Sequence, residues 1–525
     1  MPEKKPTQWR WRTVCSLIVG LGFLLLILGL SLYFFIIPFV VDSKIRENSQ
    51  LLEGSRLMEE WKTPKYNMLF KLYVYSVKNP DEFMAGDKPV VTGMGPYTFR
   101  EKMEHKVIGV KDGKVKYKII SNYHFDPELS CLTCILGNRV WVPNMIYQKF
   151  VEAASTPGME AAATTLLSQT AFLEVEVGEL LFDGYKDPFL DKVCDIPFMN
   201  FVCDSILDLP DRIGFFFEKN NTIGSTFEIS DGSQSVETLG RVLTWNDKSI
   251  LDESWWSSKD ARILRGSAGA LFPPFIKKQD RLWVFVEQLC RSIYLDFEEE
   301  IEYKGIPAYR FVLPASVFDS SLNENKGFCN PTEKRFFSSQ GESDDCWPKG
   351  LLEISKCQRS QPPIIISLPN FLYADDEVSQ SVVGLNKSEV ARDSIIVDIE
   401  PRTGVVLKAQ RRSQVNIEMW KGKDIKFPAN LKKMKSSIVP VLIVHEDVEI
   451  DNNSLNMLRS ELIETERLAL IVAKFFMFVG FLTLIVGFVL TFYWMGVFNS
   501  CLSRHGVHNI DPLPNYVPKN GVEKI

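Results

Sequence analysis

Few residues in this sequence could carry catalytic chemistry. Between two long apolar runs near its ends, the chain has three histidines, His105, His124 and His445. A buried nucleophile needs an activating base, yet the sequence has no G-x-S-x-G elbow, no P-loop and no dinucleotide-binding fingerprint. Each histidine is therefore interpreted as an ordinary surface or core residue. The sequence predicts a protein that is not an enzyme and needs no cofactor.

The cysteines favour structural bonds over metal or redox chemistry. Eight of the ten cysteines lie between the two apolar runs, which suits a compartment where disulfides form. Cys131 and Cys134 have the C-x-x-C spacing of a redox motif or of half a zinc site. No companion histidine pattern and no thioredoxin-like βαβ context accompany them. We expect these two cysteines to form structural disulfides, with partners left open, and no metal site.

Two apolar runs determine how the chain is anchored. Residues 13–41 and 475–498 contain no charged side chain, and each run exceeds the roughly 20 residues that span a bilayer. The first run is too long for a cleavable signal and has no small-residue cleavage site. We predict transmembrane helices at 14–41 and 471–498, with Pro38 as a candidate end of the first.

Charges beside these helices predict the topology. Lys4, Lys5, Arg10 and Arg12 precede the first helix, whereas mixed charges follow it. The positive-inside rule therefore places the tails 1–13 and 499–525 in the cytosol, and the ectodomain 42–467 on the extracellular or luminal side. Three N-glycosylation triplets fall inside this ectodomain and agree with that side. They begin at Asn220, Asn386 and Asn452.

Glycines favour a contact between the two membrane helices. Gly22 and Gly29 are seven residues apart, as are Gly480 and Gly487. Counted from the cytosolic ends, Gly22 lies level with Gly487, and Gly29 with Gly480. Small residues let membrane helices approach closely, although glycine is also common in such helices. A contact in this register is therefore a hypothesis beside the alternative that these glycines have no role in packing.

Local patterns in the ectodomain predict an α+β fold with antiparallel strands. Residues 106–120 form a hairpin pattern around Asp112-Gly113, and 394–409 form another. The run 438–444 is rich in β-branched residues, and its Pro440 suits an edge strand or a bulge. Helical patterns occur at 43–61, 144–181 and 280–294.

Seven short segments between the two terminal membrane helices carry a resemblance. The segments are Gly95-Pro96-Tyr97-Thr98-Phe99-Arg100-Glu101, Gly184-Tyr185-Lys186-Asp187-Pro188-Phe189, Phe272-Pro273-Pro274-Phe275, Cys290-Arg291-Ser292-Ile293-Tyr294, Gly305-Ile306-Pro307-Ala308-Tyr309-Arg310-Phe311, Ser367-Leu368-Pro369-Asn370-Phe371-Leu372-Tyr373-Ala374 and Asp398-Ile399-Glu400-Pro401-Arg402-Thr403-Gly404. In content and order they resemble the class B scavenger receptor family, which includes fatty acid translocase, the lysosomal integral membrane protein type 2 and insect sensory neuron membrane proteins. The resemblance covers nearly the whole chain.

The resemblance implies an irregular antiparallel β-barrel, apex helices at about 144–181, and a tunnel that carries lipid towards the bilayer. It also implies disulfides Cys290–Cys357 and Cys329–Cys346. Cys131, Cys134, Cys194 and Cys203 are additional to the family pattern, and we expect them to form extra disulfides. Their three possible pairings stay open.

The resemblance does not transfer a ligand-binding residue. Lysines on the apex helices of fatty acid translocase are thought to attract anionic ligands. The corresponding stretch, 166–174, has no basic residue and is followed by Glu176 and Glu179. The ligand-binding residues therefore stay unknown, and the apex is equally compatible with an apolar ligand, a protein partner or a solvated face.

The predicted function is lipid binding and lipid uptake by a scavenger-receptor-like protein. Its expected partners are the bilayer and lipids, fatty acids or lipoprotein-like particles; the mildly negative charge without a basic run argues against nucleic acid. A protein-binding trafficking receptor acting through the apex is one alternative, and a two-helix channel subunit is a weaker one. The plasma membrane is the expected location, with endosomal or lysosomal membranes as the alternative; Cys15 and Cys501 are candidate palmitoylation sites.

Overall fold

The computed structural model describes residues 6–155, 170–188, 190, 211–340, 345–423, 425 and 429–494. The chain divides into two compact units, one formed by 1–43 with 460–525 and the other by 44–459. The α-helices of the described residues are α1 (Pro6–Ser31), α2 (Ile37–Asn48), α3 (Arg56–Lys62), α4 (Pro80–Ala85), α5 (Met145–Ala154), α6 (Asp376–Ser379), α7 (Val390–Asp393), α8 (Ala429–Lys433), α9 (Asn452–Leu458) and α10 (Thr465–Trp494).

The larger unit is built mainly from antiparallel strands. They are β1 (Tyr66–Val77), β2 (Val91–Lys111), β3 (Lys114–Phe125), β4 (Arg139–Pro143), β5 (Phe172–Glu176), β6 (Thr222–Ser230), β7 (Val242–Trp245), β8 (Leu282–Val286), β9 (Arg291–Tyr303), β10 (Ile306–Val312), β11 (Leu352–Glu353), β12 (Ile364–Ser367), β13 (Ile396–Glu400), β14 (Val405–Met419) and β15 (Ser437–Ile450). Together with the helices they make the predicted α+β fold.

The two terminal helical stretches overlap the predicted membrane helices, and residues 495–498 of the second prediction lie outside the described residues. Trp11–Asn48 and Asn452–Trp494 are each long and apolar enough to cross a membrane. Pro38 does not end the first stretch, because a π-helical turn at Leu32–Ile36 precedes it and α2 continues to Asn48. Such a turn opens the backbone hydrogen-bond ladder where proline has no N–H to donate.

α1 and α10 contact each other, but not in the predicted register. A Cβ added to Gly22 would lie 2.8 Å from the backbone nitrogen of Leu484, and one added to Gly480 would lie 3.0 Å from the carbonyl oxygen of Gly22. Gly22 is therefore level with Leu484, three residues before Gly487, a shift of about 4.5 Å along the helix. The prediction counted both helices from their cytosolic ends, and the contacts place α10 about one turn away from that count.

One 13-stranded sheet forms the body of the larger unit. Its strand order is β7-β6-β3-β2-β1-β15-β14-β13-β10-β9-β8, and β12 joins β14 beside β11. The predicted hairpin 106–120 is confirmed as β2 and β3, whose turn holds Asp112 and Gly113 at φ of 52° and 79°. Positive φ at both positions is typical of a type I′ turn, which matches the twist of the strands.

Ser267 nearly closes this sheet into a barrel. It bridges Arg241, beside β7, and also Val284 of β8, which lies at the opposite end of the strand order. Its backbone N–H donates to Trp283 at 3.1 Å, and its carbonyl accepts from Phe285 at 2.8 Å. The nearly closed sheet therefore has an inner and an outer face.

Two helix predictions need correction. Residues 280–294 form β8 and the start of β9, because the run Leu282-Trp283-Val284-Phe285-Val286 consists mostly of β-branched and aromatic residues that favour strands. In the predicted apex region 144–181, α5 is helical, whereas Phe172–Glu176 is strand β5 paired with β4. Residues 156–169 lie outside the described residues.

The run around Pro440 is strand β15, as predicted, and the alternative of a bulge is confirmed. β15 lies between β1 and β14, so it is not an edge strand. Its pairing with β14 shifts between Leu442 and Pro440. The irregular step accommodates a residue that has no N–H for the ladder. The hairpin 394–409 is likewise present as β13 and β14.

Candidate ligand site inside the barrel

Strand alternation decides which side chains point into the barrel. Val115 and Tyr117 of β3 pack in one hydrophobic cluster with Phe227 of β6, Phe285 of β8 and Ile293 of β9. β3 and β6 are neighbours, as are β8 and β9, but Val415 of β14, in the middle of the strand order, packs against the same cluster. These side chains therefore meet across the inside. Since successive residues of a strand alternate between faces, the odd-numbered residues of β3 face inwards.

Register extends this inner face across five strands. One row of directly paired residues runs from β14 to β3 through Arg411, Glu446, Phe70, Phe99 and Phe125. Directly paired residues share a face of the sheet, and Phe125 is an inward residue of β3. The whole row therefore faces the inside of the barrel.

The next row along the strands also faces inwards. It runs through Ala409, Val448, Met68, Glu101 and Tyr123. The two rows thus bring two glutamates, an arginine and a tyrosine hydroxyl to one patch of an otherwise apolar surface. A polar group in such a place needs a hydrogen-bond partner or open space.

Aromatic rings surround this patch. Phe70 lies 5.1 Å from Tyr123 and 5.0 Å from Phe216, and Phe99 lies 4.8 Å from Phe182 and 5.3 Å from Phe125, between ring centroids. We call these six rings, Phe70, Phe99, Tyr123, Phe125, Phe182 and Phe216, the aromatic wall. Phe70 and Phe99 are buried and the other four are half-buried. Aromatic rings at such distances present a large apolar surface of fixed shape.

The polar groups are joined in a network that we call the Arg411 cluster, formed by Glu101, Ser121, Tyr123, Arg411 and Glu446. Arg411 pairs through Nη2 with Glu446. The Ser121 hydroxyl donates to Oε1 of Glu101 at 2.8 Å, and the Tyr123 hydroxyl also bonds to Glu101. The cluster is therefore held in place by its own contacts.

The cluster is accessible on the inner face of the sheet. The side chain of Arg411 is 45% accessible and that of Glu446 is 24% accessible. Burial nevertheless acts on the pKa of both groups. A guanidinium with so much accessible surface is not enclosed by packed side chains.

The electrostatics of the cluster follow from this depth. Burial raises the pKa of Glu446, against the opposing effect of Arg411, and nearby Glu101 raises it further. The pKa of Arg411 is raised, because Glu446 and Glu101 outweigh the cost of burial. Burial and then Glu101 raise the pKa of the Tyr123 phenol. Arg411 thus stays charged, while Glu446 binds a proton more readily than a free glutamate.

The structure contains both disulfides that the resemblance implies. Cys290 is bonded to Cys357, and Cys329 to Cys346. Cys131 is bonded to Cys134, so the C-x-x-C motif is a closed loop. Cys194 and Cys203 lie outside the described residues.

The candidate modification sites are placed differently from one another. Asn220, Asn386 and Asn452 are exposed, and their glycosylation stays a prediction. Cys15 is buried, which disfavours attachment of an acyl chain, and Cys501 lies outside the described residues.

None of the three histidines belongs to the Arg411 cluster. His105 stacks on Trp61, and burial lowers its pKa to about 4. Burial and then Arg412 lower the pKa of His445 to about 3. His124 is exposed. Two of the three are therefore neutral core residues at physiological pH.

The acidic stretch near the predicted apex is partly neutralised. Glu174 and Glu176 lie on β5, and each is 3.6 Å from a guanidinium nitrogen of Arg139 on β4. Arg139 supplies the positive charge that is missing from the stretch itself. Sequence reasoning missed it because it belongs to a neighbouring strand.

Sequence reasoning also missed the Arg411 cluster. Its members come from two strand pairs, β2 with β3 and β14 with β15, that are far apart in the chain, and only Glu101 belongs to a segment singled out beforehand. A signal was present in β14, where Arg411 and Arg412 are consecutive. Consecutive charges in a strand must point to opposite faces, so one of them had to enter the barrel.

The model of the CD36 family matches residues 20–491 of this chain. The chain belongs to the CD36 family. It is 28% identical to lysosome membrane protein 2 of Rattus norvegicus, over 80% of this chain and 83% of that protein. It is 27% identical to sensory neuron membrane protein 1 of Antheraea polyphemus, over 88% and 87% of the two chains.

A third relative is named as a receptor. Scavenger receptor class B member 1 of Cricetulus griseus is 27% identical over 86% of this chain and 84% of that protein. These relatives are named as membrane proteins or as a receptor, not by an enzymatic activity. The chain is thus a scavenger-receptor-like membrane protein of the CD36 family.

Proposed function

We propose that this protein binds lipids, or particles that carry them, and promotes lipid uptake through the inside of its barrel. The observation that supports this is the accessible Arg411 cluster beside the aromatic wall on the inner face of the sheet. Each buried CH₂ gains about 0.8 kcal/mol, so an apolar conduit would shelter a chain that crosses water slowly. The polar cluster would meet the oxygen-bearing end of such a ligand.

The proposed topology places residues 42–467 outside the cytosol and both tails within it. The exposed Asn220, Asn386 and Asn452 support this orientation, since glycans are added on the luminal side. Enzymatic deglycosylation of the expressed full chain should increase its mobility, and Asn→Gln changes at the three sites should abolish that shift. A shift that persists in the triple variant would point to another acceptor.

Uptake is tested with the full chain expressed in cells. Cells that display it should accumulate a labelled long-chain lipid faster than cells that display a matched variant. In that variant Phe70→Glu places a charge in the aromatic wall, and surface biotinylation would equalise the amounts compared. Equal uptake by the two, at equal surface levels, would contradict the proposed role of the barrel interior.

A second candidate function, recognition of a protein partner, is favoured by one exposed loop. The Cys131–Cys134 disulfide closes a short loop whose Leu132 is fully exposed, and Ile135 is 62% exposed beside it. A fixed apolar tip of this kind suits protein docking. Leu132→Ser should weaken capture of a partner by the full chain without changing lipid uptake; loss of lipid uptake in this variant would argue against a separate docking role.

A further inference from the structure

We propose that the Arg411 cluster selects neutral, oxygen-bearing long-chain ligands, such as fatty alcohols and their esters, over fatty-acid anions. The inference rests on the proposed function, since it requires that a lipid enters the barrel. It adds a ligand class and the residues that discriminate within it.

The balance of charges in the Arg411 cluster disfavours an anionic ligand. The cluster contains one guanidinium, on Arg411, and two carboxylates, on Glu101 and Glu446, and Arg411 is already paired with Glu446. The positive charge is therefore compensated before any ligand arrives. A carboxylate ligand would have to displace Glu446 and would lie close to Glu101 as well. Like charges interact strongly where water is scarce.

The N–H groups of Arg411 supply hydrogen-bond donors for a neutral ligand. In the part of the chain that the structure describes, Arg411 contacts Glu446 through Nη2, and 45% of its side chain is accessible, which leaves Nε and Nη1 to offer. These N–H groups can donate to a hydroxyl or carbonyl oxygen without any change in the Arg411–Glu446 pair. An alcohol could in turn donate its own proton to a carboxylate of the cluster. A neutral alcohol head group can thus form hydrogen bonds with both Arg411 and a carboxylate of the cluster.

The aromatic wall lies directly beside the Arg411 cluster. Phe70 directly neighbours Glu446 in the inner row, and Phe99 lies beside Phe70. A ligand with its oxygen at Arg411 would therefore lay its chain along the aromatic wall. An apolar body with one polar end fits this arrangement.

The test uses the full chain in nanodiscs of dimyristoyl phosphatidylcholine. A photoactivatable, diazirine-bearing analogue of hexadecanol serves as the probe, and unlabelled hexadecanol, hexadecyl acetate and palmitate compete for it where palmitate is ionised. Both neutral ligands should compete at concentrations roughly tenfold lower than palmitate. Mass spectrometry of the labelled peptides should place the probe on β14, β15 or β1. Labelling elsewhere, or better competition by palmitate, would overturn the inference.

Glu446→Gln is the decisive variant. It removes the internal counter-charge of Arg411, so the affinity for palmitate should rise roughly tenfold while that for hexadecanol changes little. Glu449→Gln is the matched control, because Glu449 lies on the same strand but on the opposite face, near Lys304 and Lys408. It should leave the ratio of the two affinities unchanged.

The outcomes separate the two proposals. If the wild-type chain binds neither class of ligand, the proposed function fails. If it binds both and Glu446→Gln leaves their ratio unchanged, only the selection by the Arg411 cluster is wrong. Should Glu446→Gln fail to fold, Glu101→Gln removes the other carboxylate and must shift the ratio in the same direction.

Discussion

Two adjacent arginines in β14 behave in opposite ways. Arg412 is buried, with 5% of its side chain accessible, whereas Arg411 is 45% accessible inside the barrel. Arg412 binds through every nitrogen of its guanidinium: Nε donates to the carbonyl of Arg392, Nη1 to those of Arg411 and Glu446, and Nη2 to Asp447. Among the described residues, the guanidinium of Arg411 pairs with Glu446.

The difference teaches how one strand serves two purposes. The face that carries Arg412 packs against the segment that holds Asn370 and α7, where Asn370 N–H donates to Gln414 and its amide to Asp393. Lys71 reaches Asp447 on the same face at 2.7 Å. This network of ion pairs and hydrogen bonds stabilises the barrel wall. On the opposite, inner face of β14, Arg411 keeps N–H groups that can donate to a ligand, as a binding site requires.

The largest expected effect on stability comes from replacing Arg412, whose guanidinium nitrogens all donate hydrogen bonds. Arg412→Gln should lower the free energy of unfolding by about 3–5 kcal/mol, because it leaves Asp447 with less compensation in a buried place. Arg411→Gln should cost about 1 kcal/mol or less, since its partner Glu446 can bind a proton. Thermal unfolding of the full chain in detergent, followed by tryptophan fluorescence, measures both.

A conservative change gives the control for this comparison. Arg412→Lys keeps the charge but cannot reproduce the four separate contacts, so its melting temperature should fall between those of Arg412→Gln and the wild type. Equal destabilisation by Arg411→Gln and Arg412→Gln would break the distinction between the two faces.

A chemical probe should give the next largest difference. Phenylglyoxal reacts with accessible guanidinium groups, and the reaction at Arg411 should exceed that at Arg412 by at least about tenfold, in line with their accessible surface. Because the two are consecutive, fragmentation of the single labelled peptide by mass spectrometry must assign the site. Hexadecanol should protect Arg411, and labelling of Arg412 first would contradict the structure.

Much of the architecture could be predicted from the sequence, because its signals are local. Asp112-Gly113 specifies the turn of the β2–β3 hairpin, and the lengths of the apolar runs specify two membrane helices. The helix expected at 280–294 was wrong because a short apolar run does not distinguish strand from helix by its period alone. Pairing with neighbouring strands decided the matter.

The candidate site could not be predicted, because it depends on register. Glu101 meets Tyr123 and Met68 only through the pairing of β2 with β3 and β1. A shift of one residue would send Glu446 to the opposite face and Asp447 into the barrel. No local sequence pattern specifies this register of strand pairing. The closure through Ser267, which gives the sheet an inside, is equally non-local.

The smallest expected effect is the pH dependence of stability, and it has opposite signs for two neighbouring carboxyl groups. Burial raises the pKa of Glu446 above its ordinary value of 4.5. The pKa of Asp447 is lowered from 3.8, because its hydrogen bond with Lys71 and the charge of Arg412 outweigh burial. Between 4.5 and the raised pKa, the folded state binds more protons at Glu446, so its contribution to stability falls as the pH rises. Asp447 contributes stability that is complete above 3.8 and is lost as the pH falls towards its lowered pKa.

Two variants separate these contributions. Glu446→Gln should remove the loss of stability on the alkaline side of 4.5 and leave the acid limb unchanged, whereas Asp447→Asn should reduce the loss below 3.8 at the cost of lower stability at neutral pH. The measurement is the melting temperature of the full chain across pH, relative to the wild type, with Glu449→Gln as the control on the same strand. If Glu446→Gln and Asp447→Asn altered the same limb, the two faces of β15 would share one electrostatic environment. An internal site distinct from the structural network would then be untenable.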